Sequence, residues 1–296
     1  MWWALVLAFV LGACMVCVGI FVTLVVADCV PGCHRASPAA EFVPRSTRRA
    51  TSKLGRVHLV TFGAGGFEAK AQALGREMTS QVDEVHVFTA ADLDPDFRAR
   101  NAATLRQRRG FGLWLWKPYL CERVWSTLAE NDVLVYLDGG QRLKGPLATW
   151  VTRAVESEGG GVVFCSDDAM GEQTKGDVFA ALNMNVSIWE MQAQAVSGFF
   201  VVQKRASLDT MFQEWLRVCE QPYLLWNVPS QTPNAPLFRS RYFRPEQSVW
   251  SLLAYREGLD RVSDLPLKPT KPSGYQWRKA RDEFRLNLAE WLDDGA

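Results

Sequence analysis

From Arg56 onward, short apolar runs alternate with stretches whose apolar residues recur at helical spacing. Arg56–Phe62 (RVHLVTF) is β-branched and is closed by Gly63-Ala64-Gly65-Gly66, which predicts a first strand. Phe67–Thr79 carries good helix formers at helical spacing, and Glu84–Phe88 (EVHVF) alternates like a strand. Asp92 is placed to cap a short helix beginning at Leu93. A helix is predicted from Leu113 to about Ala129, with Pro118 tolerated in its first turn. Asp132–Leu137 (DVLVYL) is an unbroken apolar run that stops at Asp138-Gly139-Gly140, the pattern of a strand buried on both faces. Strands at Gly161–Cys165 and Phe199–Gln203 follow, with helices over Pro146–Glu156, Leu208–Cys219 and Gln247–Arg256. This alternation predicts an α/β fold: a mostly parallel sheet sandwiched by helices.

The two ends of the chain differ from this pattern. Residues 2–27 are apolar without a charge, long enough to span a bilayer as a helix and longer than a signal-peptide core. Residues 28–55 hold scattered Pro, Ser, Thr and Arg without apolar periodicity and read as a stalk. A catalytic domain over 56–274 and an amphipathic helix over 275–296 complete the expected plan. The basic residues after the apolar run (Arg35, Arg45, Arg48, Arg49, Lys53, Arg56) favour a cytoplasmic domain by the positive-inside tendency. The sequon Asn185-Val186-Ser187 is usable only in a secretory lumen.

Composition narrows the classes. A net charge of +1 supplies no global field for nucleic acid. The 7 cysteines show no paired C-x-x-C units, so they do not outline a structural zinc site. The turn Phe62–Gly66 lacks full G-x-G-x-x-G spacing, and the second strand ends without an acidic residue, against a nicotinamide-binding site. No G-x-S-x-G is present, and His58 and His86 fall on predicted strands as ordinary strand residues.

Two segments carry candidate chemistry. Asp138 lies at the carboxyl end of the strongest strand, where open α/β sheets bind ligands, although an aspartate there also serves as a turn cap. Arg108–Tyr119 (RRGFGLWLWKPY) brackets a Gly- and Trp-rich turn with cations. Cations suit phosphates, and flat rings suit a base or sugar. The same composition also describes a basic surface turn leading into a core helix.

Together these segments resemble a known family. Arg109–Tyr119 is similar to the R-G-[FY]-G-[YF]-W-x-W-K-P motif, and Asp132–Gly140 to the D-[IV]-[LI]-x-Y-x-D-A-G segment, of a group of GT-A-like, Rossmann-related glycosyltransferases. Glu172–Leu182 resembles that group's E-x-x-W-T-K-x-D-x-F element, with Gln173 in place of its tryptophan. Arg244–Leu253 resembles its H-R-x-D-Q-S-x-x-S-L-L element, with Glu246 in place of its aspartate. The resemblance implies a membrane-anchored enzyme of the secretory pathway that moves sugar from a nucleotide-diphosphate donor to a glycan, protein or lipid acceptor. It implies Mn²⁺ or Mg²⁺ held by Asp138. It implies Asp138, Asp177 and Glu246 as the catalytic carboxylates, and Arg109, Trp114, Trp116, Lys117, Lys175 and Gln247 as substrate-binding residues. The altered Gln173 and Glu246 positions also admit a degenerate transferase fold that tethers or binds sugar without turnover.

Overall fold

The computed structural model describes residues 53–268. The expected anchor at 2–27, the stalk up to residue 52 and the helix at 275–296 lie outside these residues. Among the described residues, no helix is long and apolar enough to cross a membrane.

Six strands form one sheet: β1 Val57–Phe62, β2 Glu84–Phe88, β3 Val133–Leu137, β4 Gly161–Ala169, β5 Ala193–Gln203 and β6 Asp260–Val262, in the order β2-β1-β3-β5-β4-β6. The pairs β1/β2, β1/β3 and β4/β6 are parallel, while β5 runs antiparallel to both neighbours, β3 and β4. Five strands therefore share one direction, and the sheet is mixed rather than purely parallel. Apolar periodicity specifies burial but not direction, so the reversed β5 was not visible in its residues.

The strands alternate their side chains between two cores. Val60, Phe62, Leu134, Tyr136, Phe200 and Val202 face one; Leu59, Val133, Val135, Leu137, Phe199 and Val201 face the other. We number the principal helices α1 Glu68–Met78, α2 Pro95–Arg100, α3 Trp116–Trp125, α4 Ala148–Glu156, α5 Gly176–Ala181, α6 Met211–Cys219 and α7 Pro245–Arg256. Leu74 and Met78 of α1 and Val151 and Ala154 of α4 close the second core. Leu120 and Val124 of α3, Phe212 and Trp215 of α6, and Trp250 and Leu253 of α7 close the first. Stripping both faces of β3 of solvent is why its five residues are all apolar and all buried.

Several boundaries move. The N-cap of α2 is Asp94, which accepts from the Asp96 and Phe97 amides, two residues beyond the expected Asp92. Asp92 instead closes a capping box with Thr89 on a preceding single turn. β5 begins at Ala193, six residues before the expected Phe199, because the polar Gln194 and Ser197 occupy buried positions in its first half and hide its apolar signal. Asp167 and Asp168 form the exposed end of β4 rather than a turn.

Candidate active site

The Asp138 backbone continues the ladder past β3, donating to Gly198 O at 2.9 Å. A Cβ on Gly198 would sit 2.9 Å from Asp138 Oδ2, so a glycine opposite gives this carboxylate its room. The Asp138 side chain is 37% exposed at the carboxyl end of the strand.

α3 starts from an unusual turn. Gly110, Phe111, Gly112, Leu113 and Trp114 all have positive φ, between 53° and 78°. Three of the five are not glycine, a conformation that side-chain-bearing residues adopt only when surroundings impose it. Those surroundings are specific: Trp116 stacks on Phe62 at 3.9 Å between ring centroids and donates its indole N–H to Gly110 O at 3.0 Å. A side chain on Gly110 would strike the Trp114 ring at 2.2 Å. The turn delivers Lys117, in the first turn of α3, into the interior beneath Asp138.

Lys117 is 2% exposed, and its Nζ lies 3.3 Å from Asp138 Oδ1 and 3.0 Å from Glu246 Oε1. The same ammonium donates to Ser197 O and Ser197 Oγ, both at 3.2 Å, and stands 4.9 Å from the Tyr136 ring. Ser197 Oγ in turn donates to Glu246 Oε1 at 2.6 Å, and Tyr136 Oη donates to Asp138 Oδ1 at 2.6 Å. Burial opposes the lysine's charge, but the Asp138 and Glu246 carboxylates outweigh it and raise its pKa. Burial, reinforced by Asp138, pushes the Tyr136 phenol well up, so it remains a donor. Asp138 Oδ1 is thus committed to Tyr136 and Lys117. Oδ2 has no hydrogen bond or ion pair among the described residues.

Above this buried group lie two exposed arginines, Arg109 and Arg244. Burial lowers the Arg109 pKa first, the charge of Arg244 lowers it further, and Glu246 acts in the opposite sense. The guanidinium of Arg109 stands 5.5 Å from the half-buried Trp114 ring. Two guanidinium groups that act on each other, one of them beside the Trp114 ring, are the kind of pair an anion would bridge.

The structure therefore brings Arg109, Trp114, Lys117, Asp138 and Glu246 into one neighbourhood. Gln247 borders it: its Oε1 accepts from the Ser197 amide at 3.4 Å and its Nε2 donates to Gln194 Oε1 at 2.7 Å. Trp116 is a buried packing residue that shapes the turn. Lys175 and Asp177 are spent elsewhere. The Lys175 ammonium, fully buried, donates to Tyr223 O at 2.6 Å and Trp226 O at 3.4 Å, and meets Asp177 Oδ2 at 3.6 Å. Asp177 Oδ1 accepts from the Thr232 amide at 2.7 Å, Thr232 Oγ1 at 2.8 Å and the Gln231 amide at 2.9 Å. Burial opposes the Asp177 charge, but donation from Thr232 and Gln231 and the nearby Lys175 hold its pKa below the usual value. This pair pins the Pro-rich segment 223–236 to the start of α5, a role the linear motif does not distinguish from ligand binding.

Three participants escaped the sequence reading. Arg244 lay inside a quoted motif, and its arginine was the available signal. Tyr136 and Ser197 carried no signal, because a strand tyrosine and a strand serine reveal a partner only in three dimensions.

These donors alone do not complete a site for Mn²⁺ or Mg²⁺, which would draw its remaining ligands from phosphates and waters. Hard cations need several oxygen ligands. Asp138 offers one open oxygen, the neighbouring Glu246 is buried and held by Lys117 and Ser197, and an ammonium already stands between the two carboxylates. Among the described residues, the only cluster of three metal-ligating groups is His58, Glu84 and His86, on β1 and β2.

No protein-family model and no curated protein matches this chain. Solved structures similar to it include mouse xyloside xylosyltransferase 1, at 9% identity and TM-score 0.38, covering 78% of this chain and 93% of that one. The galactosyltransferase LgtC in complex with donor and acceptor sugar analogs is 13% identical at TM-score 0.34, covering 79% and 95%. A Bacillus anthracis protein described as a glucose-1-phosphate thymidylyltransferase is 11% identical at TM-score 0.34, covering 77% and 95%. Likenesses this remote carry no functional argument; the local geometry must carry it.

Proposed function

We propose that the chain is a GT-A-like glycosyltransferase that moves a sugar from a nucleotide-diphosphate donor to an acceptor hydroxyl on a glycan, protein or lipid. The observation that carries this reading is the convergence of the Arg109–Lys117 turn on Asp138, with Lys117 Nζ 3.3 Å from Asp138 Oδ1. The two segments that bear the family resemblance thereby form one site at the carboxyl end of β3.

In this reading the diphosphate lies against Arg109 and Arg244, which stabilise the charge that grows on the leaving group. Trp114 supplies an apolar face beside them. The open Oδ2 of Asp138 accepts a hydrogen bond from the acceptor hydroxyl and takes its proton. The new bond joins the acceptor oxygen to the anomeric carbon as the bond from that carbon to the diphosphate breaks. Lys117 and Tyr136 fix the other carboxylate oxygen, so that Oδ2 has one orientation. Glu246, 4% exposed in its side chain, positions Lys117 rather than meeting substrate. No step passes through a metal ion. Residues 2–27 tether the domain to a membrane of the secretory pathway, with the catalytic domain lumenal.

A thermal-shift screen of the full-length protein against UDP-, GDP- and CMP-sugars tests the donor class. Preferential binding to the folded state raises the melting temperature. Stabilisation by a nucleoside diphosphate sugar supports the reading, and no stabilisation by any donor opposes it. Stabilisation without turnover would instead identify a sugar-binding module.

A further inference from the structure

The lower edge of the sheet holds a second cluster, outside the site described above. β1 and β2 are parallel neighbours, with His58 registered against Glu84 and Val60 against His86. His58 is also level with Leu134 of β3, four residues short of Asp138, or about 13 Å along the strand. This cluster is therefore displaced toward the opposite end of the strands from the anion site.

We propose that His58, Glu84 and His86 form a three-ligand site for a divalent transition-metal ion of the zinc class. His58 Nδ1 and His86 Nε2 are 3.3 Å apart. Glu84 Oε2 lies 3.5 Å from the first nitrogen, and Glu84 Oε1 lies 3.8 Å from the second. Bonds of about 2.0–2.1 Å to a tetrahedral ion set ligand–ligand separations near 3.3 Å, so the two imidazoles already stand at ligand spacing. Two imidazoles and a carboxylate suit zinc and its first-row neighbours rather than Mg²⁺ or Ca²⁺. The fourth position faces the exposed edge of β2, where the His86 and Glu84 side chains are 21% and 42% exposed.

The far side of His58 strengthens the assignment. Its Nε2 is buried without a hydrogen-bond partner and lies 3.6 Å from Asp132 Oδ2. Asp132 is held in place by the Arg56 amide at 2.8 Å and the Ala129 amide at 3.0 Å. An ion on Nδ1 leaves the ring proton on Nε2, directed at this carboxylate, the arrangement in which an outer carboxylate orients a metal-bound histidine. Without an ion, a proton on His86 Nε2 can bridge to His58 Nδ1; an ion on His86 Nε2 requires the other tautomer, with that ring's proton on Nδ1. Among the described residues, the competitor for Glu84 outside the cluster is Arg56, at 3.4 Å and largely exposed, a weak pair.

Co²⁺ titration of the chelator-treated full-length protein tests this, read by visible d–d absorption and by bound-metal stoichiometry. The comparison is with the Glu84→Ala/His86→Ala variant, which cancels any binding by cysteines or His34 elsewhere in the chain. Both substituted side chains are at the sheet edge, and circular dichroism checks the fold. His86→Gln, which keeps size and polarity, provides a second comparison. The expected result is one additional equivalent of Co²⁺ in the wild type, displaced by Zn²⁺ and absent from both variants. Asp132→Asn should weaken Co²⁺ binding roughly 10–100-fold. Equal stoichiometry in the wild type and a folded variant would overturn the site, independently of any sugar-nucleotide result.

Discussion

Lys117 Nζ lies 3.0 Å from Glu246 Oε1 and 3.3 Å from Asp138 Oδ1, so one buried ammonium joins a helix that starts at Pro245 to the end of β3. Removing one partner of a buried ionic group leaves uncompensated charge, at a cost of about 3–5 kcal/mol. Lys117→Met should destabilise the fold by that order in urea unfolding. Adding Glu246→Gln should recover part of the loss, because the second change removes one stranded carboxylate. Purely additive effects would mean that the two residues are not coupled. The pKa of Lys117 is raised, so its contribution is fully present below the ordinary lysine value of about 10.4 and declines only as pH rises through the higher folded value.

Two adjacent glycines after Asp138 have opposite tolerances. A Cβ on Gly139 would lie 2.8 Å from Ala71 Cβ and 2.9 Å from Phe62 O, whereas the nearest atom to one on Gly140 is 3.6 Å away. Gly139→Ala should cost about 1–3 kcal/mol by overpacking against α1. Gly140→Ala should stay within about 0.5 kcal/mol of wild type. Thermal melts of the two variants check the contrast. The similar family segment reads Asp-Ala-Gly, so the tight Gly139 position is a local departure that packing explains.

The Asp177 clamp predicts acid sensitivity of one segment. Its pKa is depressed, so the stability it confers is present above the ordinary aspartate value of about 3.9 and is lost as pH falls through the lower folded value. Asp177→Asn should expose 223–236 to proteases at neutral pH and destabilise the protein by about 3 kcal/mol, since Lys175 is left buried without its ion-pair partner. Limited proteolysis with mass mapping reads this directly. Unchanged cleavage would remove Asp177 from the role of loop anchor.

If Arg109 and Arg244 hold a diphosphate, Arg244→Ala should weaken donor binding by roughly 10–100-fold, the worth of about 1.5–3 kcal/mol for a charge-assisted contact. Calorimetric titration with the donor selected by the melting screen measures it. The exposed position of Arg244 predicts an unchanged melting temperature without donor.

Much of this arrangement was legible in the residues. β3 announced itself because burial on both faces demands an unbroken apolar run, and its end placed Asp138. The helix around Pro118 followed from proline's tolerance in a first turn, but it begins at Trp116 rather than Leu113, because Leu113 and Trp114 belong to the left-handed turn before it. The reversal of β5 was not legible, because direction is set by long-range pairing. Nor did the sequence separate Lys117 from Lys175: both sit in resembling motifs, yet one reaches Asp138 and the other Tyr223 and Trp226. His58 and His86 looked like isolated strand residues until parallel register put their rings 5.6 Å apart.

The central claim is that the open oxygen of Asp138 is the general base for sugar transfer from a bound sugar nucleotide. Full-length wild type and Asp138→Asn should be incubated with radiolabelled UDP- and GDP-sugars and scored for released nucleotide and transferred sugar, with melting temperatures measured in parallel. The account predicts release by the wild type and a fall of at least roughly 100-fold in Asp138→Asn under conditions where the melts show the variant still folded, as expected for loss of general-base catalysis. Equal turnover by the two proteins, or no turnover by the wild type with any donor, would contradict it.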